Sequence, residues 1–203
     1  MNSSTTLVIA SGNAGKLAEI ARILDDMGIT VVPQSEFGVS DADETGTTFV
    51  ENALIKARHA ARHTGLPALG DDSGLVLDAL DGAPGIYSAR YAGPGADDAA
   101  NNRKLLQVLE DVPDARRTAH FYCAIAMVRH AADPAPLVAI GRWDGRILDA
   151  PTGGGGFGSD PLFHVAAHGC SSAELPAEVK NRISHRGRAL RALVRQIEDA
   201  AGE

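Results

Sequence analysis

Leu7-Val8-Ile9-Ala10, then Ser11-Gly12-Asn13-Ala14-Gly15-Lys16, then Leu17, Ile20, Ala21, Leu24 and Met27 at helical spacing, form the stretch that decides the fold. The first four residues read as a short buried strand. The glycines break it, and the apolar spacing beyond them is that of an amphipathic helix closed by Gly28. Residues 29–32 read as a second strand. Strand, helix and strand in immediate succession predict an α/β fold.

Working outward, residues 38–48 form a polar, acidic loop. Phe49, Ala53, Ala57 and Ala60 predict a helix over residues 49–63, closed by Gly65. Residues 66–69 read as a short strand running into Asp71-Asp72-Ser73-Gly74, and apolar character resumes over residues 75–80. A glycine- and proline-rich excursion covers residues 82–95. A helix over residues 97–110 turns Leu105, Leu106 and Leu109 inward. Thr118 to Val128 alternates as a long strand does, and residues 137–143 can pair with it through a turn at Asp133-Pro134. Residues 145–148 add a short strand, 153–161 a glycine loop, and 187–197 a last amphipathic helix. The long antiparallel pair makes the sheet mixed. No repeat, linker or shift of composition interrupts the chain, so residues 1–203 are expected to form one domain.

Composition narrows the function. Hydrophobic residues make up 44% and charged residues 22%, as in an ordinary globular protein. A net charge of -7 argues against a general nucleic-acid binder, which needs a basic surface to release counterions. A small phosphorylated ligand needs only a few local cations. The two cysteines form no CxxC pair and no secretory signal is seen, which suits reduced thiols in a cytoplasmic protein. No run reaches the roughly 18–20 apolar residues of a membrane span.

Several motifs can carry chemistry. The Ser11–Lys16 turn lies between a strand and a helix, where backbone N–H groups and a lysine suit an anion, or simply a tight turn with a solvated lysine. It is not a Walker A loop, which would need glycine at position 10 and Ser or Thr at position 17. In Asp71-Asp72-Ser73-Gly74, adjacent residues of an extended backbone point to opposite sides, so one aspartate at most faces a given site. A carboxylate at a strand end suits Mg²⁺, which takes one or two carboxylates plus substrate phosphates. A capped turn is the plain alternative. Asp72-Ser73-Gly74 also matches the short aspartic-protease signature, but that chemistry needs a second, facing aspartate. Asp41, Asp43 and Glu44 offer further metal ligands or a solvated face. Asn52 and Lys56 share one helix face, making Lys56 a phosphate contact or a surface lysine. Five glycines around Phe157 let a backbone approach a ligand closely, with Phe157 as a stacking surface for a base. Lys180 is a candidate phosphate contact. His185 and Arg186 can donate hydrogen bonds from just before a helix, or decorate the surface.

Order and spacing say more than any motif alone. Ser11–Lys16, Glu44-Thr45-Gly46, Phe49-Val50-Glu51-Asn52-Ala53 with Lys56-Ala57, Asp71-Asp72-Ser73-Gly74, Gly82-Ala83-Pro84-Gly85-Ile86-Tyr87-Ser88-Ala89-Arg90-Tyr91, the loop from Phe157 to Phe163, and Ser184-His185-Arg186-Gly187 together resemble the inosine triphosphate pyrophosphatase family. The chain is most similar to its bacterial dITP/XTP pyrophosphatase branch, over essentially its whole length. The resemblance implies an elongated mixed α/β sheet with flanking helices, two lobes with a substrate cleft between them, and a homodimer. It implies a magnesium-dependent hydrolase that cleaves dITP, ITP and XTP to monophosphate and pyrophosphate; a house-cleaning enzyme for other altered nucleotides is the alternative. Carried over by position, Ser11, Gly12, Asn13, Ala14, Gly15 and Lys16 would cradle the triphosphate with Lys56 and Lys180. Glu44 and Asp72 would hold Mg²⁺, and Asp72 would also accept a proton. Ser73 would contact substrate. Phe157, Gly158, Ser159 and Asp160, with His185 and Arg186, would surround the base, and Arg186 and backbone N–H groups would donate to the purine 6-carbonyl. The family usually has tyrosine where this chain has Ser159.

Overall fold

The computed structural model describes residues 6–202, and among them seven strands form one mixed sheet in the order β2-β1-β3-β4-β5-β6-β7. The strands are β1 (Leu7–Ala10), β2 (Val31–Pro33), β3 (Ala68–Leu77), β4 (Thr118–Val128), β5 (Leu137–Ile147), β6 (Phe163–Val165) and β7 (Cys170–Ser171). β1 pairs in parallel with both β2 and β3, whereas β6 is antiparallel to β5 and β7. The helices are α1 (Ala14–Asp25), α2 (Phe49–Thr64), α3 (Asp98–Val108), α4 (Ala177–Ile183) and α5 (His185–Gly202). The mixed α/β class read from the sequence is thus borne out.

The chain divides into two compact units. The first takes the chain up to Asp72, Cys123–Gly141 and the chain from Arg186; the second takes Ser73–Tyr122 and Arg142–His185. Each has its own core. In the first, Leu7 and Ile9 of β1, Ile20, Ile23 and Leu24 of α1, Ile125 of β4, and Leu190 and Leu193 of α5 pack together. In the second, Leu75 and Leu77 of β3 and Leu105 of α3 join Phe121, Trp143, Leu162 and Phe163. Burial of each such side chain contributes roughly 1.5–3 kcal/mol.

α2 owes its limits to its ends. Thr48 and Glu51 form a reciprocal capping box, and Gly65 takes the left-handed conformation at φ +70 that ends the helix. Its buried side chains are Asn52 and the alanines at 53, 57, 60 and 61, small enough for close approach to the sheet. Gly70 of β3 completes that approach: a Cβ there would collide with the Ala53 carbonyl oxygen and lie 2.8 Å from the Ala57 nitrogen.

Several sequence boundaries need correction. The two aspartates do not follow a strand; they lie inside the ten-residue β3, because each carboxylate finds partners that let the strand continue. β5 runs unbroken through Gly145, where a Cβ would stand 2.5 Å from the His164 carbonyl of β6. That glycine marks a close strand approach, not a break. The last helix begins at His185, so His185 and Arg186 occupy its first turn rather than preceding it. α4, β6 and β7 are short elements whose sequences lack enough periods to be read.

Candidate active site

In the first unit, the turn after β1 is fastened by Asn13, whose side chain accepts the Lys16 N–H at 2.9 Å and so caps α1. Gly12 lets the Asp41 carboxylate lie close against the turn; a Cβ there would displace that side chain. α1 then carries the Lys16 ammonium to Asp71, 2.8 Å from its Oδ1.

The alternation of β3 sends its two aspartates to different partners, as the extended backbone requires. Asp71, buried completely, receives the Arg186 guanidinium at 3.0 Å, the Lys16 ammonium and the Cys123 thiol at 3.1 Å. Burial pushes its pKa up, but Arg186 and Lys16 outweigh burial and hold the carboxyl well below the usual range. Arg186 also pairs with Glu19. Asp72 is met by Lys56 at 2.8 Å on Oδ1; its Oδ2 has only a long 3.4 Å contact from Asn52 among the described residues. Burial raises the Asp72 pKa, opposed by the nearby lysines and reinforced by Glu44. The Lys56 ammonium lies 2.5 Å from Glu44 and 2.8 Å from Asp72. Burial would lower its pKa, yet these two carboxylates raise it.

Glu44 and Asp72 therefore converge on a single cationic point. This donor set fits a hard divalent ion, which needs few carboxylates because substrate phosphates complete its shell. Among the described residues no group of three or more His, Cys, Asp or Glu side chains forms a closed cage. Nor is Asp72 paired there with a facing aspartate, as an aspartic protease would need; Lys56 is its partner.

In the second unit, Ser73 continues β3, half-buried. The glycine loop leads to Phe157, Gly158 and Ser159, all half-buried, and to buried Asp160. Asp160 accepts the Phe157 N–H at 2.9 Å, the Ser172 hydroxyl at 2.8 Å and the Lys180 ammonium at 2.6 Å. The same ammonium stands 5.0 Å from the centre of the Phe157 ring. His185 is buried against Phe121 at 4.7 Å between ring centres, stacked within 14°.

Of the residues singled out by sequence, the structure gathers Lys16, Glu44, Lys56, Asp72 and Arg186 in the first unit, with Ser11, Gly12 and Asn13 on the connecting turn and Ala14 and Gly15 opening α1. Phe157, Gly158, Ser159, Asp160 and Lys180 gather in the second. The surface alternatives for Lys56, His185 and Arg186 fail: Arg186 is 1% exposed and all three are engaged. Sequence reasoning passed over Asp71 and Glu19, and noted Asn52 only for sharing a helix face with Lys56. The only signal for Glu19 was its place three residues after Lys16 on one helix face.

A family model described as the Ham1 family matches residues 7–196, a span that contains every motif discussed above. The dITP/XTP pyrophosphatase of Vibrio cholerae is 56% identical over 193 residues, 95% of this chain and 96% of that protein. The dITP/XTP pyrophosphatase of Xylella fastidiosa is 59% identical over 187 residues, 92% of this chain and 94% of that one. The solved structure of a HAM1 protein from Coxiella burnetii superposes with a TM-score of 0.88 at 51% identity, covering 96% of this chain and 99% of that chain. With the family model spanning nearly the whole chain and relatives this similar along their full lengths, the chain belongs to the Ham1 family.

Proposed function

We propose that the chain is a Mg²⁺-dependent pyrophosphatase that hydrolyses the non-canonical purine nucleotides dITP, ITP and XTP to monophosphate and pyrophosphate, cleansing the cytoplasmic nucleotide pool, and that it works as a homodimer. The observation that carries this reading is the convergence of Glu44 and Asp72 on one cation, next in β3 to the Asp71 that anchors Lys16. The names of the relatives in Vibrio and Xylella support the substrate class.

Glu44 and Asp72 would hold Mg²⁺. When bound, that ion supplies charge neutralisation on the phosphates and lowers the pKa of water. The local charge favours a further cation: Asp71, Asp72, Glu19 and Glu44 set four carboxylates against Lys16, Lys56 and Arg186. Water attacks the α-phosphorus, the bond to the β-phosphate oxygen breaks, and pyrophosphate leaves. Asp72 accepts the proton at Oδ2, the oxygen that Lys56 does not hold. Lys16 and Lys56 stabilise the charge that grows on the leaving group, with the turn from Ser11 to Lys16 as cradle. In the second unit, Ser73, His185, Lys180 and the loop of Phe157, Gly158, Ser159 and Asp160 are assigned to substrate, with the Phe157 ring offered to the purine. Arg186, held against Asp71 and Glu19, would act on the substrate by bracing Asp71.

A pyrophosphate-release screen over dITP, XTP, ITP, dGTP, dATP and dUTP, with Mg²⁺ and with chelator, tests the proposal. Release from dITP, XTP and ITP that chelator abolishes is expected. Preference for dUTP would move the chain to a pyrimidine-directed activity, and turnover insensitive to chelator would remove the metal.

A further inference from the structure

We infer that Asp98 and Asn102 are positioning residues that fix the Phe157-Gly158 peptide in the conformation that receives the purine; this rests on assigning residues 157–160 to the base. The two side chains stand four residues apart on α3 and so share a face. The Gly158 N–H donates to Asp98 Oδ2 at 2.6 Å, and Asn102 Nδ2 donates to the Gly158 carbonyl at 2.9 Å. One helix thus holds both polar groups of a single loop residue. From the other direction, Asp160 takes the Phe157 N–H at 2.9 Å.

This loop needs an external mould. Gly156 and Gly158 have φ of +72 and +61, and glycine has little conformational preference of its own. Asn102 is only 8% exposed, and its Oδ1 has no hydrogen-bond partner among the described residues. A buried amide with an unsatisfied oxygen lowers stability, so its place is explained by what its other end does, which is to grip the loop. The arrangement also assigns the neighbouring donors. The Phe157 and Gly158 N–H groups are committed to carboxylates, so the loop presents the Phe157 ring, not these two donors, to a base. A cavity of about 480 Å³ lies here, lined by Asp98, Asn102, Phe157 and Gly158 among others.

Steady-state kinetics on dITP, combined with competitive inhibition by inorganic tripolyphosphate, which has no base, tests the clamp. Asp98→Ala and Asn102→Ala should each raise KM for dITP about five- to tenfold, the effect of one lost hydrogen bond, with kcat little changed and the tripolyphosphate Ki unmoved. Asp98→Asn keeps an acceptor oxygen and should recover most of the KM. Phe157→Ala reports on the loop itself and should also raise KM. If Phe157→Ala raises KM while the Asp98 and Asn102 variants do not, the clamp is wrong and the base assignment stands. If Phe157→Ala leaves KM unchanged, the base assignment fails and the clamp falls with it. Equal rises in KM and in the tripolyphosphate Ki would mean a general loosening of the fold and would overturn the clamp.

Discussion

In the proposed mechanism Asp72 divides its two oxygens between tasks: Oδ1 holds the Lys56 ammonium at 2.8 Å, and Oδ2 accepts the proton. Asp72→Asn keeps the shape and removes both charge and basicity, so kcat for dITP should fall at least about a hundredfold, the lower range for a lost acid–base group. On the proposed function, Lys16 reads charge, not purine edges. Lys16→Ala should therefore weaken dITP and dATP by similar factors of about tenfold in kcat/KM, and strongly unequal factors would displace it from the phosphates. Arg186 is a different case, because its guanidinium is fully buried against Asp71 and Glu19. Removing it leaves Asp71 buried without its main partner, and Arg186→Ala should cost about 3–5 kcal/mol of stability in denaturant unfolding. Glu44, Lys56 and Asp72 were named from the order of motifs that resembles the family; taken singly, each also had a structural reading as a solvated face, a surface lysine or a capped turn. Asp71 was not. Two adjacent carboxylates look alike in a sequence, and only the strand's alternation, read with the burial of Arg186, assigns one to structure and the other to chemistry.

At the level of elements, β3 and α2 carry the site together. Their closeness depends on Gly70, which lies against the Ala53 carbonyl and the Ala57 nitrogen. Gly70→Ala should push α2 outward, lower stability by about 1–3 kcal/mol and reduce kcat as well, because α2 holds Lys56 and Asn52. Thermal melts and kinetics on the same variant check both effects. The turn after β4 carries a pH signature. Asp133 accepts the Arg129 N–H at 2.9 Å, the Arg129 side chain at 2.7 Å and the Ala135 N–H at 3.0 Å, which together hold its carboxyl well below the usual carboxylate range. A depressed folded pKa gives stability that is complete above the unfolded value near pH 4 and is lost as pH falls through the folded one. Asp133→Asn should thus lower Tm at neutral pH, and its gap from the parent should shrink below about pH 4. Long elements with regular periods were legible: α1, α2, α3 and β4 fall within a few residues of expectation. α4 was not, because seven residues supply too little periodicity, and β3 and β5 read as broken because their glycines serve close packing, not turns.

Over the whole molecule, family membership and the mixed sheet were readable from motif order, while the allocation of residues between two compact units was not. The unit boundaries fall inside β3, β4, β5 and α5, where no linker or change of composition could announce them. Among the described residues no helix is long and apolar enough to cross a membrane. The net charge of -7 sits with a site that gathers more carboxylates than cations, and both suit a substrate that arrives with Mg²⁺. The central claim is the place of bond cleavage in a non-canonical purine nucleotide. It is tested most directly by hydrolysing dITP with Mg²⁺ in ¹⁸O-labelled water and identifying the products by mass. Attack on the α-phosphorus gives dIMP carrying one ¹⁸O, with unlabelled pyrophosphate. Formation of dIDP with labelled orthophosphate, or no turnover of dITP at all, would contradict the account.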